Sequence, residues 1–228
     1  MPTIGYILTA LAAYLLGSIP FGYLVAKAKG IDIRSVGSGN IGATNAMRVL
    51  GKPAGIFVLL ADAAKGFVAV WLGASVWLFH AVPILDHFYE TGSGESAVDQ
   101  LPAMLEPLRI LAGICAVLGH NYTCWLKFKG GKGIATTAGV YLALAPWALL
   151  VALVVFLLAI LVTRYVSVGS IAGAIALPAT VWVLTPQNIF LGIVTTALGV
   201  LAIYKHKSNI QRLIAGTENR LGQKKETK

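Results

Sequence analysis

Long apolar stretches alternate along this chain with short segments rich in glycine, serine and lysine. About 20 apolar residues are needed to cross a hydrocarbon layer of ~30 Å as a helix. Runs of that kind are predicted over residues 4–26, 66–82 (with an approach helix from 53), 110–126, 166–184 and 189–204. No Lys or Arg precedes Lys27, and no small-residue cleavage site lies ahead of it. The first run therefore reads as a retained span with its N-terminus outside, not as a signal peptide.

Residues 133–163 are harder to place. A single helix over them would be about 46 Å long at 1.5 Å per residue, too long for one untilted span. Pro146 lies inside the stretch and can break it. A break predicts an inward helix over 134–145 and a return over 147–162.

Charge parity chooses between the two. Segment 27–52 carries Lys27, Lys29, Arg34, Arg48 and Lys52 against Asp32, and reads as cytoplasmic. Segment 80–107 carries Asp86, Glu90, Glu95, Asp99 and Glu106 without a Lys or Arg, so 83–109 is predicted as an outside loop. Lys127, Lys129 and Lys132 lie on an inside loop, and seven basic residues follow from Lys205 onward. With the break, Arg164 and the tail both fall inside, as the positive-inside rule prefers. The prediction is an all-α, polytopic membrane protein in one domain, with seven transmembrane helices, N-terminus outside and C-terminus cytoplasmic.

Composition agrees. Of 228 residues, 57% are hydrophobic and 12% charged, about half the charged fraction of soluble domains. The excess of 18 Lys and Arg over 9 Asp and Glu is explained by topology, and no nucleic-acid partner is expected. Cys115 and Cys124 are nine positions apart on one presumed helix. That is about 13 Å by rise, beyond the ~7 Å a disulfide tolerates between Cα atoms, so both read as packing residues.

The chemistry-bearing residues gather on the predicted inside segments. Gly37, Gly39 and Gly42 would let backbone N–H groups approach an anion. Ser38, Asn40, Thr44 and Asn45 add neutral hydrogen-bonding groups, and Arg48 adds a fork for phosphate. Turns favour the same residues. Lys127-Phe-Lys-Gly-Gly-Lys-Gly133 opens a helix, where backbone donors and lysines suit an anion; it also reads as an ordinary positive-inside loop. It is not a phosphate-binding nucleotide loop, because Gly133 follows Lys132 where Ser or Thr should stand. Arg164-Tyr-Val-Ser167 and Lys205-His-Lys-Ser-Asn209 complete the set, with His206 and Asn209 on one helical face. Asp62 and Lys65 can neutralise each other on the approach to the second span. No carboxylate cluster suits two-metal chemistry, and the four histidines have no metal-ligand spacing, so neither a metal nor another cofactor is expected.

Five segments together carry a resemblance. Gly17-Ser-Ile-Pro-Phe-Gly22, Gly37-Ser-Gly-Asn-Ile-Gly-Ala-Thr-Asn45 with Arg48, and Gly119-His120 followed by Phe128-Lys-Gly-Gly-Lys-Gly-Ile-Ala-Thr136 are three of them. Arg164-Tyr-Val-Ser167 and Lys205-His-Lys-Ser-Asn-Ile-Gln-Arg-Leu213 with Gly216-Thr-Glu218 are the others. In order, over about residues 3–222, they resemble the bacterial acyl-phosphate:glycerol-3-phosphate acyltransferases, the PlsY family. Segment 80–107 is the main departure, longer than expected for that family.

The resemblance implies an enzyme of the bacterial inner membrane whose active site faces the cytoplasm. It would transfer a fatty acyl group from acyl phosphate to the 1-hydroxyl of glycerol 3-phosphate, releasing lysophosphatidate and phosphate, the first acylation of phospholipid synthesis. The partners are then acyl phosphate, glycerol 3-phosphate and membrane lipid. Arg48, Lys132 and Arg164 are expected to hold the phosphates, with Gly37, Gly39, Gly130, Gly131 and Gly133 admitting backbone donors. Ser38 and Asn45 are expected to orient acyl phosphate, and His206 with Asn209 to position glycerol 3-phosphate. With no carboxylate foreseen beside them, a substrate phosphate oxygen is preferred over His206 as proton acceptor. An anion or phosphate-ester transporter is the alternative, since its site would also use Lys, Arg and glycine-rich helix breaks. A scaffold would not need four glycine-rich basic segments.

Overall fold

The computed structural model describes the backbone of residues 2–90 and 94–222 and the side chains of 4–75 and 105–222. Among the described residues every regular element is helical: α1 (Pro2–Ser18), α2 (Phe21–Ala28), α3 (Ala43–Leu50), α4 (Lys52–Glu90), α5 (Gly94–Asn121), a 3-10 turn (Cys124–Leu126), α6 (Ile134–Leu144), α7 (Pro146–Thr163), α8 (Val166–Leu184), α9 (Ile189–Lys205) and α10 (Lys207–Ile214). The chain divides into two compact units, Met1–Leu144 and Ala145–Lys228.

Among the described residues four segments are long and apolar enough to cross a membrane: Ile4–Ala28, Lys52–Ser75, Pro146–Thr163 and Val166–Leu184. The pair α9 and α10, bent by 51°, makes a fifth if it counts as one span, and Ile134–Leu144 is a shorter apolar helix.

In the first unit, α1, α4, α5 and α6 pack through small residues. Ala13, Ala69, Ala112 and Ala116 form a buried cluster between α1, α4 and α5. Gly17 abuts the backbone of Ala116, and Gly119 that of Tyr14, so a side chain at either glycine would drive α1 and α5 apart. In lipid, where apolar side chains gain little by avoiding the solvent, such close backbone approach is what holds helices together. The outward faces carry Ile56, Phe57, Leu60 and Trp71, all exposed.

Three boundaries differ from the sequence-based expectation. The predicted outside loop over 83–109 is helical where its backbone is described: α4 continues to Glu90 and α5 begins at Gly94. Acidic composition makes a segment hydrophilic without breaking a helix. The run 110–126 ends as α-helix at Asn121, where Thr123 Oγ1 donates to Ser18 O at 2.6 Å and Lys127 and Phe128 take left-handed backbone. The first run is interrupted between Ser18 and Phe21, because Pro20 lacks the N–H that would continue the ladder.

The second unit begins at the Pro146 break. Ala145 caps α7, with Pro146 in its first turn, where a missing N–H costs nothing. Arg164 ends α7 in left-handed conformation at φ 62°. α8 packs on α7, where Gly169 abuts Phe156 and Ile160, and on α9, where Gly199 abuts Ala174. α9 turns at His206 into α10, and the chain then returns so that Leu221 N–H donates to Arg164 O at 2.8 Å.

Candidate functional site

The predicted site residues form one constellation in each unit. In the first, the loop before α3 is organised by Asn45. Its Oδ1 accepts from Ser38 N–H at 2.8 Å. Its Nδ2 reaches the carbonyls of Asn40 at 2.9 Å, Val36 at 3.1 Å and Ile33 at 3.3 Å. Asn40 Oδ1 in turn accepts from Gly42 N–H at 2.8 Å. Gly37 and Gly39 stand at φ 64° and 70°, where a β-carbon is strained, and a side chain at Gly37 would strike Asn45.

This arrangement changes the expected roles. The N–H groups of Ser38, Gly39 and Gly42 are already bonded inside the loop, and the Asn45 amide is fully engaged. Asn45 is therefore a brace for the loop. What the loop presents outward is side chains: Arg48, Ser38 and Thr44 are exposed. Arg34 is tied to Asp32 through Nε–Oδ1 at 2.9 Å and Nη2–Oδ2 at 2.7 Å. That hydrogen bond, helped by the Arg34 N–H, holds the Asp32 carboxyl down to about 2.

The second basic loop is seated on the end of α5. Gly130 N–H donates to Asn121 O at 3.2 Å and Gly131 N–H to His120 O at 3.0 Å. A β-carbon at 130 would strike the His120 carbonyl, and one at 131 the His120 ring. These glycines thus bring the loop against a helix end, and their own N–H groups are not open to an anion. Gly133 stands at φ 81° against Asn121 and opens α6. Lys132, half-buried between them, is the loop's central cation. Behind it, Asp62 lies 2.9 Å from Lys65 and 3.5 Å from His120.

In the second unit, Asn209 Nδ2 donates to Glu218 Oε1 at 2.7 Å, and Arg212 Nε to Glu218 Oε2 at 2.7 Å. Burial pushes the Glu218 carboxyl up, but the hydrogen bonds from Asn209 and Arg212, with the Ser167 hydroxyl and the Arg212 charge, outweigh it and hold the group below the usual range. The expectation that no carboxylate stands beside Asn209 is therefore corrected. Glu218 lies nine residues away in sequence and reaches Asn209 only because the chain reverses after α10. The Gly-Thr-Glu segment was the available signal. As an anion with both oxygens occupied, Glu218 is a poor proton acceptor.

His206 Nδ1 lies 2.8 Å from Ala202 O. A carbonyl only accepts, so Nδ1 carries a proton and donates to it. Arg164 is exposed. Among the described residues no group of three or more His, Cys, Asp or Glu side chains is arranged to hold a metal ion.

Residues 7–216 match the glycerol-3-phosphate acyltransferase family. A glycerol-3-phosphate acyltransferase of Desulforamulus reducens is 45% identical over 96% of each chain. One of Geobacter sulfurreducens is 42% identical over 94% of this chain and 96% of its own. Among solved structures, the crystal structure of PlsY (YgiH), an integral membrane glycerol 3-phosphate acyltransferase, in its glycerol 3-phosphate form, superposes with a TM-score of 0.78 at 36% identity. The match covers 95% of this chain and 96% of that one. None of these relatives is a transporter, so that alternative gains no support. Apolar helices of spanning length, integral membrane structural relatives and a family match along nearly the whole chain agree that this protein is a multi-pass, all-helical membrane member of the glycerol-3-phosphate acyltransferase family.

Proposed function

We propose that the protein transfers a fatty acyl group from acyl phosphate to the 1-hydroxyl of glycerol 3-phosphate, giving lysophosphatidate and inorganic phosphate. The glycerol oxygen forms a bond to the acyl carbonyl carbon, the bond from that carbon to the phosphate oxygen breaks, and a phosphate oxygen takes the hydroxyl proton. The observation that carries this reading is the match to glycerol-3-phosphate acyltransferases along the chain, with exposed or half-buried cations on loops locked by their own hydrogen bonds. Acyl phosphate is already an activated anhydride, so holding the reactants together and neutralising the departing charge supply most of what the reaction needs.

Roles are assigned unit by unit. In the first, Arg48 and Lys132 bind phosphate, the Ser38 hydroxyl orients it, and Asn45 keeps the loop in shape. In the second, Arg164 binds phosphate and His206 positions glycerol 3-phosphate, with Asn209 fixed by Glu218. Because Glu218 is held as a hydrogen-bonded anion, the substrate phosphate remains the better proton acceptor. No metal or other cofactor enters the scheme.

The topology proposed with it is seven crossings of the bacterial inner membrane, N-terminus outside, with all four basic segments cytoplasmic. Purified protein in detergent, given acyl phosphate and glycerol 3-phosphate, is expected to form lysophosphatidate; failure with both substrates present overturns the reading. For topology, cysteines at Ser93 and Thr217, in a background lacking Cys115 and Cys124, are expected to react with an impermeant thiol reagent from opposite sides. Labelling from one side overturns the seven-span arrangement.

A further inference from the structure

The buried charges of the first unit take no part in the proposed transfer. Asp62 and Lys65 lie one turn apart on α4, with Nζ 2.9 Å from Oδ1 and side chains 3% and 2% exposed. Lys65 Nζ also donates to Ile19 O at 2.8 Å, at the break between α1 and α2, and lies 5.7 Å from the centre of the Phe21 ring. On its other side the Asp62 carboxylate lies 3.5 Å from Nδ1 of His120, whose side chain is 5% exposed.

Burying an ion pair in a membrane helix is expensive, and apolar packing holds helices together at lower cost. The same α4–α5 interface does so a few turns away, through Ala69 and Ala112. The charged cluster therefore calls for a reason other than cohesion. The far edge of the His120 ring supplies one. A side chain at Gly131 would collide with it at Nε2, and Gly131 N–H donates to the carbonyl of the same histidine. Gly131 of the loop bearing Lys132 thus lies against the far edge of the His120 ring, and the Nδ1 edge of the same ring faces the Asp62 carboxylate.

We propose that Asp62 and His120 are positioning residues for the Lys132 loop: Lys65 fixes Asp62, Asp62 fixes the imidazole, and the imidazole is the seat on which Gly131 lies. This proposal rests on the reading of Lys132 as a phosphate-binding residue. It assigns to residues that touch no substrate control over how well a phosphate is held. Their loss is felt as weaker binding first, with the chemical step itself less changed.

The test uses the full chain in detergent, with a nitroxide on K129C in a C115A/C124A background. D62N and H120A are each expected to raise the KM of a phosphate-bearing substrate about tenfold while kcat stays within about threefold. The label is expected to become more mobile in both variants. G131A alone, which forces a β-carbon into the ring, is expected to lower kcat/KM about a hundredfold. H120A/G131A, which removes the obstacle, is expected to recover about tenfold of that loss, a coupling that general destabilisation does not produce. If D62N does not fold, the H120A and G131A pair decides alone. KM values within about twofold of the parent with an unchanged label spectrum, or strictly additive losses in the double variant, overturn the proposal. If the parent chain itself makes no lysophosphatidate, the functional reading fails, and label mobility alone then tests the seating of the loop.

Discussion

The two units hold their cations by different means. In the first, the chain is held mostly by its own backbone: Asn45 gathers three carbonyls and an N–H, and the Lys132 loop bonds to the end of α5. In the second, one carboxylate does the holding, with Glu218 bridging Asn209 and Arg212. The frame around Asn45 contains no titrating group, so its geometry is expected to survive a change of pH. A carboxylate-locked loop depends on an ionised partner and loses its frame in acid. The first design requires glycine and asparagine at set spacings; the second requires only that two distant side chains meet.

The comparison breaks most sharply at Asn45. N45D places a carboxylate oxygen among three carbonyls at a position 2% exposed, and is expected to destabilise the first unit by about 3 kcal/mol or more. Thermal unfolding in detergent measures it, and a melting temperature equal to the parent's would show that the loop is not held as described.

Glu218 carries the next largest effect. Its side chain is 7% exposed, and E218Q turns one acceptor into a donor facing Arg212, an expected loss of about 1–3 kcal/mol. The folded carboxyl is held below its ordinary value of 4.5. Its contribution is therefore complete above that value and disappears as pH falls through the lowered folded one. Acid unfolding of the parent should show that loss and E218Q should not; parallel curves would detach Glu218 from the stability of this unit.

His206 sharpens the contrast on the side of chemistry. H206Q keeps a hydrogen-bond donor but cannot take a proton. It is expected to raise the KM for glycerol 3-phosphate about tenfold with substantial turnover left. A collapse of kcat with binding intact would make His206 the base. The smallest effect belongs to Asp32, whose bond to Arg34 lies on the exposed surface. Exposed pairs contribute little, so D32N is expected to leave melting temperature and turnover unchanged, and a clear loss of either would promote this pair to part of the loop's framework.

Much of this was legible in the residues. Apolar runs of spanning length follow from hydropathy alone, and the Pro146 break follows from a missing N–H. Gly37-Ser-Gly-Asn and Lys-Gly-Gly-Lys-Gly stand out because left-handed backbone and close approach demand glycine. The helical backbone over 83–90 and 94–109 was hidden, because acidic composition speaks to solvent contact and not to φ and ψ. The destination of the loop donors was hidden as well: glycine spacing shows that the backbone comes close to something, but not whether that is an anion or the end of α5.

The chain by itself determined a helical membrane protein with basic, glycine-rich segments between its spans, because hydropathy, charge and backbone permissiveness are local properties. Tertiary structure decided which partner each polar group took. Glu218 reaches Asn209 through a chain reversal, and His120 meets Asp62 across two helices and Gly131 across a loop closure. Such meetings depend on packing in three dimensions, and no spacing along the sequence encodes them.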